Sequence, residues 1–338
     1  MPMTVYGDIS PRVGVVAERK LLDRGQHLML LERFGSFDPQ GSNRGKSRKW
    51  RRYLSLARAV APLAEGMTPA AQKMTFEDVL VTLEQYGDLV ELTDVIADTH
   101  EDPVLDTCMT LCGEAAAETV EWLRFVVLRA GSNVFYSGTA TIRTEVEEEV
   151  DLKDFRAVFR AMKKNKAKEI SQIISATGKI ATEPVGAAYF AVCHTDLMAS
   201  LADIDGWTPV EKYASDTAAL PGEVGKVENI RVLASAFYEP WLLAGETAAI
   251  GTVLANGIAC TGANDADVYP ILVFARDSYG IVPLQGRGAV TPIVQNPNTP
   301  RGGDPLGQRG SVGWKTYQAT AILNQNWVAR IEVAAKAL

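Results

Sequence analysis

A pattern typical of one very long helix between residues 103 and 130 constrains the fold more than any other feature of the sequence. Asp102 fits the N-cap position, Pro103 suits the first helical position, and Gly131 follows as a stop signal. Steps of three and four predict a buried stripe of Val104, Cys108, Leu111, Ala115, Thr119, Leu123, Val126 and Ala130. At 1.5 Å per residue such a helix spans about 42 Å. We expect a spine against which other layers pack.

The other regular patterns mix helices and strands, which predicts an α+β body. A helix is expected over 16–34 within an N-terminal arm, and another from Leu152 to about Asn165, with acidic residues at its start and lysines at its end. Strand-like runs lie at 133–142, 186–193, 230–236, 268–275 and, in two segments, from Trp314 to the C-terminus.

Two segments fit poorly into a compact monomer. Residues 46–86 contain two β-like stretches around a centre punctuated by Pro62, Gly66 and Pro69, which predicts a long, projecting hairpin. Residues 283–313 contain 7 Gly and 5 Pro, which predicts an irregular, extended segment. Packing on another subunit would explain the extended segment 283–313.

Charge is divided unevenly along the chain. Residues 1–60 carry 12 Lys and Arg against 5 Asp and Glu, a balance of +7, which leaves −14 for the rest of a chain whose net charge is −7. The basic run, residues 43–52, surrounds Trp50 with Arg44, Lys46, Arg48, Lys49, Arg51 and Arg52. An acidic run at 145–149 supplies Glu145, Glu147, Glu148 and Glu149.

Three interpretations of the basic run stay open. It could bind nucleic-acid phosphates, with the Trp50 indole stacking on a base. It could equally form a solvated loop, or a basic edge that lies on an acidic surface such as the acidic run. A DNA-binding module using residues 43–52 is therefore one alternative function.

Motif searches find no catalytic, cofactor or metal site in the sequence. The phosphate-binding G-x-x-x-x-G-K-[ST], the dinucleotide-binding G-x-G-x-x-G and the nucleophile elbow G-x-S-x-G are all absent, and the three histidines lack metal-ligand spacing. His194, after a strand-like run, is the best candidate for an unrecognised α+β enzyme. The uncharged stretch 247–264 is interrupted by Gly and Asn, so no membrane span is expected.

Seven strings occur in a fixed order along the chain. They are PLAEGMTP at 62–69, EQYGDLVELTD at 84–94, DPVLD at 102–106, YFAVCHTDLMASL at 189–201, LPGEVGKVENIRVLAS at 220–235, VYPILVFARDSYGIVPL at 268–284 and DPLGQRGSVGWKTYQATAILNQNWVARIE at 304–332. In this order they resemble the major capsid proteins of tailed double-stranded-DNA phages, in the branch typified by the N-four coliphage. The residues that mark the motifs are Gly66, Pro69, Gly222, Glu223, Asp304, Pro305, Gly307, Trp314 and Lys315.

The resemblance implies the Hong Kong 97 type coat fold. The expected parts are an N-terminal arm at 1–45, an E-loop hairpin at 46–86, a peripheral domain at 87–150 with the spine helix at 103–130, an axial domain at 151–305, and return strands of the peripheral domain at 306–338. The family has no catalytic residues, so no catalytic, metal or cofactor site is implied.

The resemblance also implies a structural protein that self-assembles into pentamers and hexamers of an icosahedral head around double-stranded DNA. Expected partners besides the chain itself are a portal protein, a separate scaffolding protein and, as a further candidate, a decoration protein. Assembly is expected in the cytoplasm of the bacterial host. The basic run, the acidic run and Glu65 are expected to make lattice contacts.

Overall fold

The computed structural model describes residues 29–60, 62, 65–66, 68, 71–99, 104–174, 182–213, 220, 222–246, 265–284, 290–300 and 302–336. The strands are β1 (Ser36–Phe37), β2 (Ser47–Tyr53), β3 (Phe76–Thr82), β4 (Glu84–Thr93), β5 (Val134–Tyr136), β6 (Ile170–Ile174), β7 (Thr182–Cys193), β8 (Trp207–Pro209), β9 (Glu223–Val227), β10 (Ile230–Ala234), β11 (Val268–Phe274), β12 (Tyr279–Pro283), β13 (Thr291–Gln295), β14 (Arg309–Ile322) and β15 (Val328–Ala334). The helices are α1 (Asp94–Thr99), α2 (Val104–Arg129), α3 (Leu152–Lys164) and α4 (Met198–Ala202), with 3₁₀ turns at Leu31–Arg33, Arg143–Glu145, Thr195–Leu197, Val210–Lys212 and Gln325–Trp327.

The larger sheet has the strand order β5-β15-β11-β7-β10-β9-β8, with β6 also pairing with β7. Its centre is buried on both faces: every residue of β11 and of β15 is buried, and these two strands pair antiparallel along their whole length. One face packs against α3 through Phe155, Val158 and Met162. The other face contributes Phe190, Leu272 and Phe274 to a second core with α2.

The second sheet is organised around β14. This strand pairs antiparallel with β4 over 309–318, with β13 over 311–315 and with β12 over 318–322, and β1 adds to β12 in parallel. The side of β14 that carries Val312 and Trp314 packs on α2. The helix therefore lies across both sheets, as expected for a spine.

The long helix is confirmed, whereas the predicted buried stripe is wrong in part. Cys108 is buried as predicted, but Leu111 is 55% exposed and Ala130 is exposed. The buried face instead centres on Cys112, Ala116 and Val120, with the other buried members being Met109, Gly113, Ala117, Glu121, Arg124, Phe125 and Leu128. Small residues on this face allow close approach to β14, and tertiary contact outweighs the apolar periodicity. Asp102 and Pro103 lie outside the described residues.

Other expectations had mixed outcomes. The helix at 152–165 is confirmed as α3, and Asp151 and Asp154 form a capping box at its N-terminus. The helix expected over 16–34 is a short 3₁₀ turn within its described part, 29–34. The expectation that 283–313 is irregular is wrong where β13 and the start of β14 form. Among the described residues β13 pairs only with β14, so it is an edge strand, and an edge strand tolerates a proline such as Pro292.

Candidate assembly surfaces

The strands β2 and β3 form a two-stranded hairpin that contains most of the basic run. Ser47 pairs with Thr82 and Tyr53 with Phe76, so cross-strand partners can be assigned along its length. Side chains alternate between faces. One face carries Lys49, Arg51, Tyr53, Phe76, Asp78 and Leu80, and the other carries Arg48, Trp50, Arg52, Glu77, Val79 and Val81.

Five of the six cations in the basic run lie within ion-pair distance of carboxylates of the same chain. Lys49 and Arg51 both contact Asp78, at 2.5 and 2.9 Å, and Arg52 contacts Glu77 opposite it. Arg48 forms a bidentate pair with Asp38, and Lys46 lies 3.3 Å from Glu84. The described residues place none of these cations on the acidic run of the same subunit.

Asp78 is the centre of charge on its face of the hairpin. Hydrogen bonds from Arg51 and Lys49 lower the pKa of this carboxyl to about 2. The Arg51 guanidinium also lies 4.2 Å from the centroid of the Phe76 ring. The Asp78 carboxylate therefore stays ionised well below neutral pH. Its two cationic neighbours leave the Lys49–Asp78–Arg51 group with a net charge of +1.

Trp50 seats the hairpin on the body. Its indole covers Gly280 in β12 so closely that a Cβ at position 280 would lie 2.7 Å from a ring carbon. The pair between Arg48 and Asp38 lies beside it, and the Asp38 amide donates to the Ile281 carbonyl at 3.0 Å. The base of the hairpin is therefore fixed by shape and by a charged pair.

Beyond its base, the hairpin exposes large apolar side chains. Leu80 is 66% exposed, and Tyr53 and Phe76 on the same face are also more than half exposed; we call these three side chains the apolar face of the hairpin. Met74, just before β3, is likewise exposed. Tyr53 and Phe76 make an edge-to-face contact with centroids 6.4 Å apart. An apolar surface of this kind marks an interaction site.

The body exposes apolar side chains at two further places, the outward side of α2 and the face of the second sheet that points away from α2. Leu111 and Trp122 project from the outward side of the helix. On β4, Leu89 is exposed and stands in register with Gly313 and, across β14, with Ile293. The glycine leaves a shallow groove between these two side chains.

Comparison with known proteins identifies the fold and the family. Residues 76–333 match the family described as phage capsid protein. The chain belongs to the phage capsid protein family. The chain is also similar to the major capsid protein of Pseudomonas phage KPP21, with 24% identity over 285 residues, which cover 78% of this chain and 70% of the relative.

Solved capsids share the architecture of this capsid protein. The capsid of Ralstonia phage GP4 superposes with a TM-score of 0.65 at 12% identity, covering 90% of this chain and 87% of that one. The capsid of cyanophage Pam1 gives 0.59 at 15% identity, covering 93% and 92%. The fold is thus the mixed α+β Hong Kong 97 type predicted from sequence. As a member of a structural capsid family, the protein is a component of the virion capsid and not an enzyme.

The acidic run of this capsid protein is a partly anchored turn. Val146 is fully buried, whereas Glu147 and Glu148 are exposed and Glu149 is half-buried. Glu145 accepts hydrogen bonds from the Thr141 amide and hydroxyl at 2.9 and 2.8 Å, and the first of these is the largest cause of its lowered pKa. The run therefore presents carboxylates from a fixed backbone.

The motif residues Gly222 and Glu223 shape a turn in the larger sheet. Gly222 adopts a φ of +85°, and its Cα faces Leu30. The Glu223 side chain is fully buried and accepts from the Tyr213 hydroxyl at 2.9 Å and the Leu220 amide at 3.1 Å, with Arg231 3.6 Å away. This motif is structural in the subunit.

The motif around Asp304 forms the turn that leads into β14. The Asp304 carboxylate accepts from the Arg309 amide at 2.8 Å, and Gly307 has a φ of +68°. Pro305 is exposed beside it. Trp314 is buried against α2, and Lys315 is half-buried, in register with Gly87.

The hairpin turn is described only in part. Glu65 is exposed and Gly66 has a φ of +78°, as a tight turn requires. Pro69 lies outside the described residues. Among the described residues, no atom lies within 4 Å of a Cβ added at Gly66.

His194, the candidate for an enzyme site, makes a local structural contact. His194 is half-buried, and its Nδ1 accepts from the Asp196 amide at 3.2 Å, which caps a 3₁₀ turn. Within the described ranges, no group of three His, Cys, Asp or Glu side chains is placed to hold a metal. None of the described helices is long and apolar enough to cross a membrane.

Sequence reasoning missed two fully buried carboxylates. Glu332 in β15 accepts from Arg143 at 2.7 and 2.8 Å and from Arg330 at 2.7 Å. Glu121 lies in the middle of α2. The sequence contained a signal for both, because each glutamate stands among apolar residues of a core strand or helix. A charged residue in such a place is rarely buried without a partner.

Proposed function

We propose that this chain is the major capsid protein that self-assembles into the pentamers and hexamers of an icosahedral phage head enclosing double-stranded DNA. The observation that carries the proposal is the apolar face of the hairpin, which a single subunit leaves uncovered. In a chain of a capsid family, such a face is suited to contact with a neighbouring subunit. Removing apolar surface from water stabilises a complex by about 25 cal/mol per Å². This free energy favours a lattice in which neighbouring subunits cover the apolar face.

The outward surface of α2 in a neighbouring subunit suits this hairpin. It combines Leu111 and Trp122 with the exposed carboxylate of Glu118. The hairpin face combines apolar side chains with the net positive Lys49–Asp78–Arg51 group. Apolar area would supply the stabilisation, and the charges would select the register.

The basic run serves the lattice more than the genome in this proposal. Most of its charge is matched by carboxylates of the same subunit, which leaves little for phosphate neutralisation. Arg44, the exposed sides of Lys49 and Arg51, and Glu65 are proposed to meet neighbouring subunits. The proposed acidic counterparts of Arg44 are Glu145, Glu147, Glu148 and Glu149 of a neighbouring subunit, whereas Lys49 and Arg51 are proposed to face Glu118 of α2.

Further parts of the proposal come from the sequence resemblance. We place the chain in the N-four coliphage branch and divide it into arm 1–45, E-loop 46–86, peripheral domain 87–150 and 306–338, and axial domain 151–305. A portal protein, a separate scaffolding protein and a decoration protein are the proposed partners. Assembly is proposed to take place in the bacterial cytoplasm before DNA is packaged.

Electron microscopy of the purified, concentrated full-length protein tests the proposal. Closed shells or five- and six-membered rings are the expected products, with or without a co-expressed scaffolding protein. A compact monomer that persists in both cases would contradict it. Tight binding of the monomer to DNA with a steep salt dependence would favour the DNA-binding alternative.

A further inference from the structure

A carboxylate in the middle of the long helix has no role in the proposed lattice. Glu121 of α2 is fully buried beneath the segment 29–34, which leads from the N-terminal residues towards the hairpin. Burying an ionised carboxylate is costly unless several donors surround it. Its contacts therefore need an explanation.

One oxygen of Glu121 takes three hydrogen bonds. The amides of Leu30 and Leu31 donate to Oε1 at 3.2 and 2.9 Å, and the Tyr238 hydroxyl donates to the same atom at 2.9 Å. The other oxygen, Oε2, is buried and has no hydrogen-bond partner in the part of the chain that the structure describes. The carboxylate thus binds the first amides of the 3₁₀ turn Leu31–Arg33, which the turn itself cannot satisfy.

The segment that Glu121 holds is a plug in the core. Leu30, Leu31 and Phe34 are buried, and the Phe34 ring lies 4.6 Å from Phe190. The Tyr279 hydroxyl donates to the Leu31 carbonyl at 2.5 Å. The plug therefore combines apolar burial with specific backbone recognition.

Burial raises the pKa of Glu121, and this effect outweighs the neighbouring charge of Arg124 and the three hydrogen bonds, which lower it. The ionisable groups that face this region from the surrounding elements are Arg124 on α2, Glu32 on the plug, Tyr238 after β10, Tyr279 on β12 and Cys193 on β7. Arg124 is itself engaged with Glu32 at 3.1 Å. No closer cation compensates Glu121 within the described residues.

We propose that Glu121 is a proton-sensitive tether that holds the segment 29–34 in the core and thereby controls the base of the hairpin. The pKa of Glu121 is higher when the segment 29–34 is docked over it than when the segment is released. Docking is therefore strongest below the ordinary pKa of glutamate and weakens as the pH rises through the raised pKa. The proposal concerns the single subunit and goes beyond the assembly function.

The path of the chain couples this tether to the hairpin. After Phe34 the chain forms β1 on β12, and Asp38 then makes the pair with Arg48 at the hairpin base. Gly280 of the same β12 carries the Trp50 indole. Release of the plug removes one of the two anchors on the N-terminal side of Asp38 and leaves only the pairing of β1 with β12, so the seat of the hairpin is held less firmly.

Amide hydrogen exchange of the full-length protein tests the tether. A peptide that spans Leu30 and Leu31 is followed by mass spectrometry over a pH series, with rates corrected for intrinsic exchange. In the window between the ordinary and the raised pKa of Glu121, we expect wild-type protection to fall up to tenfold per pH unit, because opening releases one proton. Glu121→Gln, which keeps the accepting oxygen and cannot ionise, should show protection that does not change with pH.

Two further variants separate the tether from general stability. Glu211→Gln alters an exposed carboxylate on the turn Val210–Lys212, which belongs to neither the plug nor the proposed lattice surfaces, and should keep the wild-type pH profile. Tyr238→Phe removes one donor to the ionised carboxylate and should reduce protection by about tenfold where Glu121 is charged. An identical pH slope in wild type and Glu121→Gln, or a flat wild-type profile, would overturn the proposal.

Discussion

At the residue scale, the most consequential side chain outside the plug is Glu332. It is fully buried and satisfies guanidinium groups of Arg143 and Arg330, and Arg330 in turn caps the end of α2 through the Gly131 carbonyl at 3.0 Å. Its carboxylate therefore links β15, the turn at 143–145 and the spine. Removing one partner of a buried pair leaves uncompensated charge.

We expect Glu332→Gln to lower the free energy of unfolding by about 3 kcal/mol, because two guanidinium groups lose their charged acceptor. Urea unfolding of the subunit, followed by circular dichroism, measures this change. Glu228→Gln breaks an exposed pair with Arg156 and serves as the control, with a loss of less than about 1 kcal/mol. Equal effects of the two substitutions would contradict this account of Glu332.

At the scale of elements, the hairpin owes its shape to pairs within its own strands. Arg52 and Glu77 stand directly opposite each other, so their charges can be exchanged without altering the pairing. We expect Arg52→Glu to place two carboxylates together and to reduce shell formation strongly, since like charges opposite each other destabilise a strand pair.

The double exchange of Arg52→Glu with Glu77→Arg should restore assembly, with particle yield measured by sedimentation and electron microscopy. Recovery is expected because the internal pair is rebuilt while the net charge of the subunit is unchanged. A double variant that assembles no better than Arg52→Glu would mean that a neighbouring subunit contacts Arg52 directly. The loss of assembly in Arg52→Glu would then not come from the broken pair within the hairpin.

At the scale of the whole molecule, folding brings carboxylates next to the basic run, so the uneven distribution of charge along the sequence is largely balanced in space. Five cations of the basic run meet four carboxylates of the same subunit, so the hairpin is nearly neutral over most of its length. What remains uncovered on the hairpin and on α2 is chiefly apolar. Assembly should therefore depend more on apolar burial than on long-range attraction.

We expect the concentration needed for shell assembly to change by less than about tenfold between 0.1 and 0.5 M salt, because added salt screens charge but does not weaken apolar burial. Light scattering of the purified subunit across a salt series measures it. A loss of assembly by several orders of magnitude would assign the lattice contacts to the basic and acidic runs instead.

Much of the fold follows from local patterns. The length of α2, the ends of α3 and the strands β10, β11 and β14 depend on the spacing of apolar residues and on capping side chains within a few positions. The β14 region also shows the limit of such reasoning. Breakers at 283–313 predict irregular chain, yet β13 forms there because β14 supplies its hydrogen bonds.

By itself, the sequence determined the α+β class, the long helix, the hairpin and the likeness to phage capsid proteins, because each is encoded in neighbouring residues or in the order of short strings. Only the tertiary structure decided which face of α2 is buried, which carboxylates neutralise the basic run, and why Glu121 is inside the core. Glu121 meets residues about 90 positions away along the chain. No local periodicity carries such a contact, since it depends on how the elements pack against one another.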